Sequence, residues 1–189
     1  MARSIEFDRD EVMARAVDAF WRYGYEALPA NVLAGEMGVS KSSLYNTFGS
    51  KRQLFLEAIE IYANAKALAI RNASEAPRLQ EQLRGILLHI VKDNDGGRGC
   101  LLVNTSIEFG LRDPEVRRLV RTGFQSIKAA FEFLLISGQR SGQFKRNIDP
   151  AIWAMTLIAG IAGLRVLAKA GYTERQLSPV IDNLMRIAA

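Results

Sequence analysis

Apolar side chains recur along this chain at intervals of three and four residues, the spacing of helices with one buried face. Val12, Ala16, Val17 and Phe20 form one such stripe, reaching about Tyr23, with Asp8 and Glu11 placed as a capping box. Val32, Leu33 and Met37 mark a short second helix, which Gly38 can close because glycine tolerates the left-handed conformation. Val39 is a single buried-type residue in the turn, and Ser40 is positioned to cap a third helix. There Leu44 and Phe48 face inward, while Lys41, Ser42, Ser43, Tyr45, Asn46 and Thr47 lie on the open side. Gly49 and Ser50 restart the chain, and Ser50 with Gln53 reads as a capping box for a long helix. Its buried face carries Leu54, Phe55, Ala58, Ile59 and Tyr62, and it is expected to run to about Arg71.

The rest of the chain continues in the same mode. Ser74 to Arg78 is a break, and Leu79, Leu83, Ile86, Leu87 and Ile90 mark a fifth helix. DNDGGRG at 93–99 is the clearest loop, followed by a short apolar helix from Cys100 to Phe109. Asp113-Pro114 caps a long helix whose apolar face extends to about Gly138, and SGQRSGQFKRN at 137–147 is a turn region. Asp149-Pro150 opens an eighth helix that is apolar nearly all round, and Thr173 to about Ile187 forms the last. The expected fold is all-α, with about nine helices and no internal repeat or low-complexity segment.

Two short helices joined by a Gly-containing turn are a helix-turn-helix pattern, here at about 29–48. A second helix of that kind fits the major groove and presents small polar groups to base edges and phosphates. An ordinary helical hairpin with a solvated face is the alternative. The run GVSKSSLYNTFGSKRQLF, preceded by AFWRYGYEA at 19–27, decides between them. It resembles the DNA-binding domain of the TetR (tetracycline-repressor-like) family, with matches at Phe20, Gly24, Tyr25, Gly38, Val39, Ser40, Leu44, Tyr45, Phe48, Ser50 and Lys51. The match spans about the first third of the chain. Leu28 and Pro29 depart from it, standing where the family usually has Thr or Ser to cap the motif's first helix and touch phosphate. Pro29 still suits the first helical position, where its missing N–H costs nothing.

Composition then bounds the function. The 189 residues are 49% hydrophobic and 24% charged, which suits a globular protein. The opening MARSIEFDRDE has no apolar core, so no signal peptide is expected. The longest uncharged run, Pro150 to Leu164, is shorter than a bilayer span. A cytoplasmic location follows from these readings. One Cys and one His exclude a disulfide framework and a multi-ligand Cys/His metal site, and nothing calls for a cofactor. The net charge of +5 is not carried by the first domain: residues 1–66 hold eight Lys/Arg against nine Asp/Glu. Between Met37 and Gln53, however, Lys41, Lys51 and Arg52 occur with no acid, so the recognition surface is expected to be locally basic. Arg3 lies in an arm that is either a solvated tail or a reach into an adjacent groove.

The resemblance implies two domains, a DNA-binding domain at 1–66 and a helical effector-binding and dimerisation domain at 67–189. It implies homodimers joined by the last two helices, and hence a palindromic double-stranded DNA operator. The all-round apolar eighth helix agrees, since one face can pack on its own core and another on a second subunit, with Gly160, Ala162 and Gly163 allowing close approach. The run Gly99-Cys100-Leu101-Leu102-Val103-Asn104 resembles a subgroup with a GCLLVN-type segment. The family also implies an inducer pocket in the second domain. Candidates for it are Cys100, Asn104, Phe124, Phe131, Trp153 and Met155, each of which is more often plain core. Cys100 opens a helix beside Arg98, a setting that can activate a thiol towards oxidants or electrophiles, although a small buried apolar Cys is the commoner case. His89 stands alone on its helix as a surface or core side chain.

The expected function is a homodimeric transcriptional regulator, a repressor released by a small-molecule or thiol-reactive inducer. Lys41, Ser42 and Asn46 are assigned to base edges, and Tyr45, Thr47 and Lys51 to phosphates, with Ser40 capping the recognition helix. The same contacts also serve an activator or an architectural DNA binder without effector. A Cys-dependent enzyme is a distant alternative, for which Cys100 and His89 lack an evident third orienting group.

Overall fold

The computed structural model describes residues 8–92 and 98–187, so Arg3 and most of the 93–99 loop lie outside the described residues. Among those described there are nine helices and no strand: α1 (Arg9–Tyr23), α2 (Ala30–Met37), α3 (Lys41–Phe48), α4 (Lys51–Ala73), α5 (Leu79–Lys92), α6 (Leu101–Phe109), α7 (Pro114–Arg140), α8 (Pro150–Lys169) and α9 (Glu174–Arg186). Each boundary follows from local chemistry. Asp8, Ser40, Ser50, Asp113 and Asp149 each accept backbone N–H groups from the first turn they precede. Pro114 and Pro150 occupy first helical positions, where no N–H is required.

Three capping details differ from expectation. Gln53 does not return to the Ser50 N–H, which donates to the Phe48 carbonyl at 2.9 Å, so Ser50 caps α4 without a full box. Asp8 caps α1, but Glu11 does not complete a box; its carboxylate pairs with Arg15 at 2.5 Å. Pro29 is the N-cap of α2 rather than its first residue, with φ −65° and ψ 149°, and it offers no side-chain acceptor. A ring that fixes φ but not ψ is satisfied by that extended conformation. Leu28, buried at 1% exposure, anchors the entry in place of a cap.

Buried side chains form two clusters. The first gathers Phe20, Leu28, Leu33, Met37, Leu44 and Phe55 of the helix-turn-helix region, but also Leu101, Leu102 and Phe109 of α6 and Val116, Leu119 and Val120 of α7. Aromatic rings tie these parts together: Tyr25 to Phe55 at 4.8 Å, Phe20 to Phe55 at 5.0 Å and Phe55 to Phe109 at 5.5 Å. Such pairs contribute about 0.5–1.5 kcal/mol each beyond burial. The second cluster joins the end of α4 with α5, the C-terminal half of α7, α8 and α9 around Leu83, Leu87, Phe131, Leu134, Trp153 and Ile181. Helices α4 and α7 pack side by side and run through both clusters. Gly123 permits this: a Cβ there would lie 2.9 Å from the Ala63 Cβ and 3.2 Å from Leu102. The continuous α4 crosses position 66 without a break.

Helix α8 is longer than its uncharged run, because Arg165 interrupts the composition and not the helix. Its 20 residues have a mean hydropathy of 1.8, long and apolar enough to cross a membrane by length and composition alone. Its inward side, Trp153, Ala154, Leu157, Leu164 and Ala168, is instead buried against the neighbouring helices. Gly160 lets the Leu184 side chain of α9 approach, whereas Gly163 faces open space.

Candidate nucleic-acid interface and effector cavity

The turn between α2 and α3 is closed by Gly38 at φ 72°, a left-handed conformation that suits glycine. The Gly38 and Val39 N–H groups return to the carbonyls of Gly35 and Ala34, both at 3.0 Å. Ser40 then caps α3, its Oγ accepting the Ser43 N–H at 3.0 Å. The Ser42 and Ser43 hydroxyls also meet the Ser40 Oγ, at 2.9 and 2.8 Å. Leu44 and Phe48 hold α3 against the first cluster, and Lys41, Ser42, Tyr45, Asn46 and Thr47 are exposed. At eight residues, α3 is about 12 Å long, comparable to the width of a major groove.

The two cations after α3 are not presented with it. The Lys51 ammonium donates to the Tyr25 carbonyl and sits 4.2 Å from the centre of the Tyr25 ring. Partial burial lowers its pKa, against the raising influence of Glu26 and Glu108. Arg52 turns to the start of α7, with Nη1 2.6 Å from Asp113 and Nη2 2.7 Å from Glu115. Those two bonds raise the guanidinium pKa, and Arg52, then the Val116 N–H, hold the Asp113 carboxyl down at about 2. Of the three cations that made this stretch locally basic, Lys41 alone projects from α3.

The DNA-binding region is fastened to α6 as well. The Glu108 carboxylate accepts the Tyr25 N–H at 3.0 Å and the Glu26 N–H at 2.7 Å. Trp21 of α1 donates its indole N–H to the Gly99 carbonyl at 3.1 Å, beneath the Arg98 guanidinium, 4.4 Å from its ring. Arg98 pairs with Asp18. Neither Glu108 nor Trp21 carries a sequence signal for this role, because their partners lie about 80 residues away.

A cavity of about 530 Å³ opens between α4, α5, α7 and α8 at the start of α6. That is within the range of about 300–1,000 Å³ typical of small-molecule sites. Cys100 and Phe131 line it, as expected. The other four candidates are elsewhere. Asn104 donates to the Arg98 carbonyl at 2.7 Å and lines a separate cleft with Trp21 and Glu108. Phe124, seven residues and therefore about 10 Å along α7 from Phe131, lies with Met155 on an outer groove. Trp153 is core at 1% exposure beside Phe144, with its indole N–H unpartnered. The wall also contains Tyr62, Lys66, His89 and Arg165; Tyr62 is expected from the sequence on a buried face and His89 alone on its helix, whereas Lys66 and Arg165 carry no expectation there. Arg165 had a signal: it is a single charge inside an otherwise apolar helix. Tyr62 and Cys100 lie together on the wall, and burial first, then the neighbouring Cys100, pushes the phenol's pKa up. Arg165 donates to the Gly99 carbonyl at 2.6 Å, so that one oxygen is shared by the cavity wall and by Trp21.

Comparison with known proteins agrees with this geometry. Residues 12–58 match the family model "Bacterial regulatory proteins, tetR family", and residues 68–182 match "Tetracyclin repressor-like, C-terminal domain". A protein of Bacillus subtilis (strain 168), named uncharacterized HTH-type transcriptional regulator YezE, is 33% identical over 96% of both chains. The HTH-type transcriptional repressor DhaR of Mycobacterium sp. (strain GP1) is 27% identical over 91% of this chain and 86% of its own. Among solved structures, a cysteine mutant of the TetR family transcriptional regulator CifR, complexed with 26-bp double-strand operator DNA, superposes over the whole of both chains with a TM-score of 0.82 at 26% identity. The chain belongs to the TetR family and is a DNA-binding transcriptional regulator of that type.

Proposed function

We propose that the chain is a homodimeric repressor that binds a palindromic operator and is released by a small molecule or thiol-reactive inducer. The observation that carries the DNA-binding half is the Ser40-capped α3, held down by Leu44 and Phe48, with Lys41, Ser42 and Asn46 on its exposed side. These three read base edges, while Tyr45, Thr47 and Lys51 hold phosphates and Ser43 supports the cap. For Lys51 this means exchanging the Tyr25 carbonyl for a phosphate on docking. Residues 1–66 supply the DNA-binding domain and 67–189 the effector-binding and dimerisation domain, and the protein acts in the cytoplasm. The relatives support this reading: DhaR is named a repressor, and CifR was solved on operator DNA.

The dimer reading rests on apolar surface. Ile152, Met155 and Val166 of α8 are 69%, 53% and 51% exposed, and Val180 of α9 is 41% exposed. An apolar helix with so much of its surface uncovered is suited to a second copy of itself. Two α3 helices then face successive turns of the major groove. The cavity beside Cys100 favours a regulator with an effector over a purely architectural binder.

Fluorescence anisotropy on the chain's own upstream DNA and on a scrambled duplex, across a salt series, tests the proposal. Selective binding of two protomers per site is expected. Equal, weak binding to both duplexes overturns it.

A further inference from the structure

The chain's excess of positive charge lies beyond residue 66, outside the DNA-binding domain, and the fold gathers part of it in one place. Between Leu111 and Thr122 four arginines meet two acids, Asp113 and Glu115. Both acids are taken by Arg52 of α4, at 2.6 and 2.7 Å. Arg112 turns back onto the carbonyls of Glu108 and Phe109. Arg117, Arg118 and Arg121 remain, all exposed on the first two turns of α7 and without an ion-pair partner among the described residues. Arg52 fixes where this patch stands. It adjoins Lys51 in the first turn of α4, and only Gly49 and Ser50 separate that turn from α3. The patch is therefore at the DNA-reading end of the molecule, about one helical turn beyond the contact between Arg52 and Glu115. Arg117 and Arg121 also border a groove shared with Met155, on the exposed side of α8. The acid lining that groove, Glu132, pairs with Lys128.

We propose that Arg117, Arg118 and Arg121 form a second DNA-facing surface, which attracts the phosphates between the two half-sites of the operator. The proposal rests on the reading of the chain as an operator-binding dimer joined through α8. With Met155 at the seam, the two copies of the patch meet near the two-fold axis, between the two α3 helices. Like charges gathered there repel one another unless a polyanion compensates them, and the duplex passing beneath supplies one phosphate charge per about 1.7 Å. Direct contact is not required, because at about 0.1 M salt a charge acts over about 10 Å. The patch does not read sequence, since attraction to the backbone is alike for every base pair. It contributes affinity and encounter rate, while α3 keeps the selectivity.

Anisotropy of the full chain across a salt series tests this. The triple variant Arg117→Gln, Arg118→Gln, Arg121→Gln should reduce the slope of log affinity against log salt by about 2, so that binding is about ten-fold weaker at about 50 mM salt and nearly native at about 200 mM. The same change of slope is expected on a scrambled duplex, so the patch is tested even where operator selectivity fails. A control triple, Arg140→Gln, Lys145→Gln, Arg146→Gln, removes equal charge from exposed residues at and beyond the far end of α7. It should change the slope by less than about 0.5, because that end lies well beyond a screening length. Equal effects from the two triples, or an unchanged slope in the first, overturn the proposal. Uncharged methylphosphonate linkages between the half-sites should weaken the native chain several-fold and leave the first triple variant unaffected; equal weakening of both also overturns it. Arg118→Gln alone should give about a third of the slope change and carries the test if circular dichroism shows the triple variant misfolded. Selective binding of two protomers with an unchanged slope refutes the patch alone. Unselective binding whose slope still falls in the first triple variant refutes the operator reading and retains the patch as a contact to the DNA backbone.

Discussion

Arg52 reaches from the first turn of α4 to Asp113, the cap of α7, with Nη1 2.6 Å from Oδ2 and Nη2 3.1 Å from Oδ1. This bidentate pair holds the helix that follows the recognition helix against the helix that runs on into the second cluster. It also fixes a pH dependence. The Asp113 carboxyl, held at about 2 first by Arg52 and then by the Val116 N–H, is ionised in the folded state where an ordinary Asp, near 3.9, is already protonating. The stability it contributes is complete above about pH 4 and is lost as pH falls through about 2. Thermal melts from pH 7 to 2 should show a steeper acid loss for the native chain than for Arg52→Gln. Parallel curves would mean that the pair has no energetic weight.

Ser40→Ala removes the side-chain acceptor for the Ser43 N–H and the partner of two neighbouring hydroxyls. The expected cost is about 1 kcal/mol, read by chemical denaturation. Amide exchange should accelerate at Ser43 more than at Leu54, whose helix keeps its own Ser50 cap.

Glycines predict opposite signs. Gly123→Val drives a branched side chain into Ala63 and Leu102 where α7 meets α4, and should destabilise by about 1–3 kcal/mol. Gly35→Ala, inside α2 with nothing within 4 Å of the new Cβ, should stabilise by about 0.4–1 kcal/mol. Denaturant midpoints measured without DNA decide both.

A charge placed on the exposed apolar face of α8 should separate the protomers without unfolding them. Met155→Glu, at a position 53% exposed, is expected to shift sedimentation from dimer to monomer at unchanged helicity. A dimer that survives this change places the interface away from α8.

On DNA, Lys51→Ala should weaken all duplexes alike and flatten the slope of log affinity against log salt by about 1, whereas Asn46→Ala should relax selectivity at one operator position. Anisotropy against single-base variants of the operator distinguishes them. Uniform loss from Asn46→Ala would remove it from the base-reading set.

The order of helices was legible because chemical punctuation marks their ends: Gly38 and Ser40 around the turn, Asp113-Pro114, and Asp149-Pro150. The exposed side of α3 was legible for the same reason, since Leu44 and Phe48 leave only one orientation. What escaped were relationships with no local signature. Arg52 reads as a basic residue near DNA until Asp113, 61 positions later, takes its charge. The cavity draws its residues from several helices, so Lys66 resembles a solvated charge, and Trp153 resembles a pocket residue although it fills the core. Periodicity finds a buried face but not which of its neighbours leaves a void.

The unbroken course of α4 sets a mechanical scale. Its 23 residues span about 34 Å, with Lys51 at the DNA-binding end and Lys66 and Ile70 on the cavity wall towards the other. A rigid rod of that length tilted by only about 5° carries its tip roughly 3 Å, close to the spacing of successive bases along a strand. On the proposed reading of the cavity as the effector site, a change of shape by a fraction of a side chain is geared, through one lever, to a displacement of one step in DNA register.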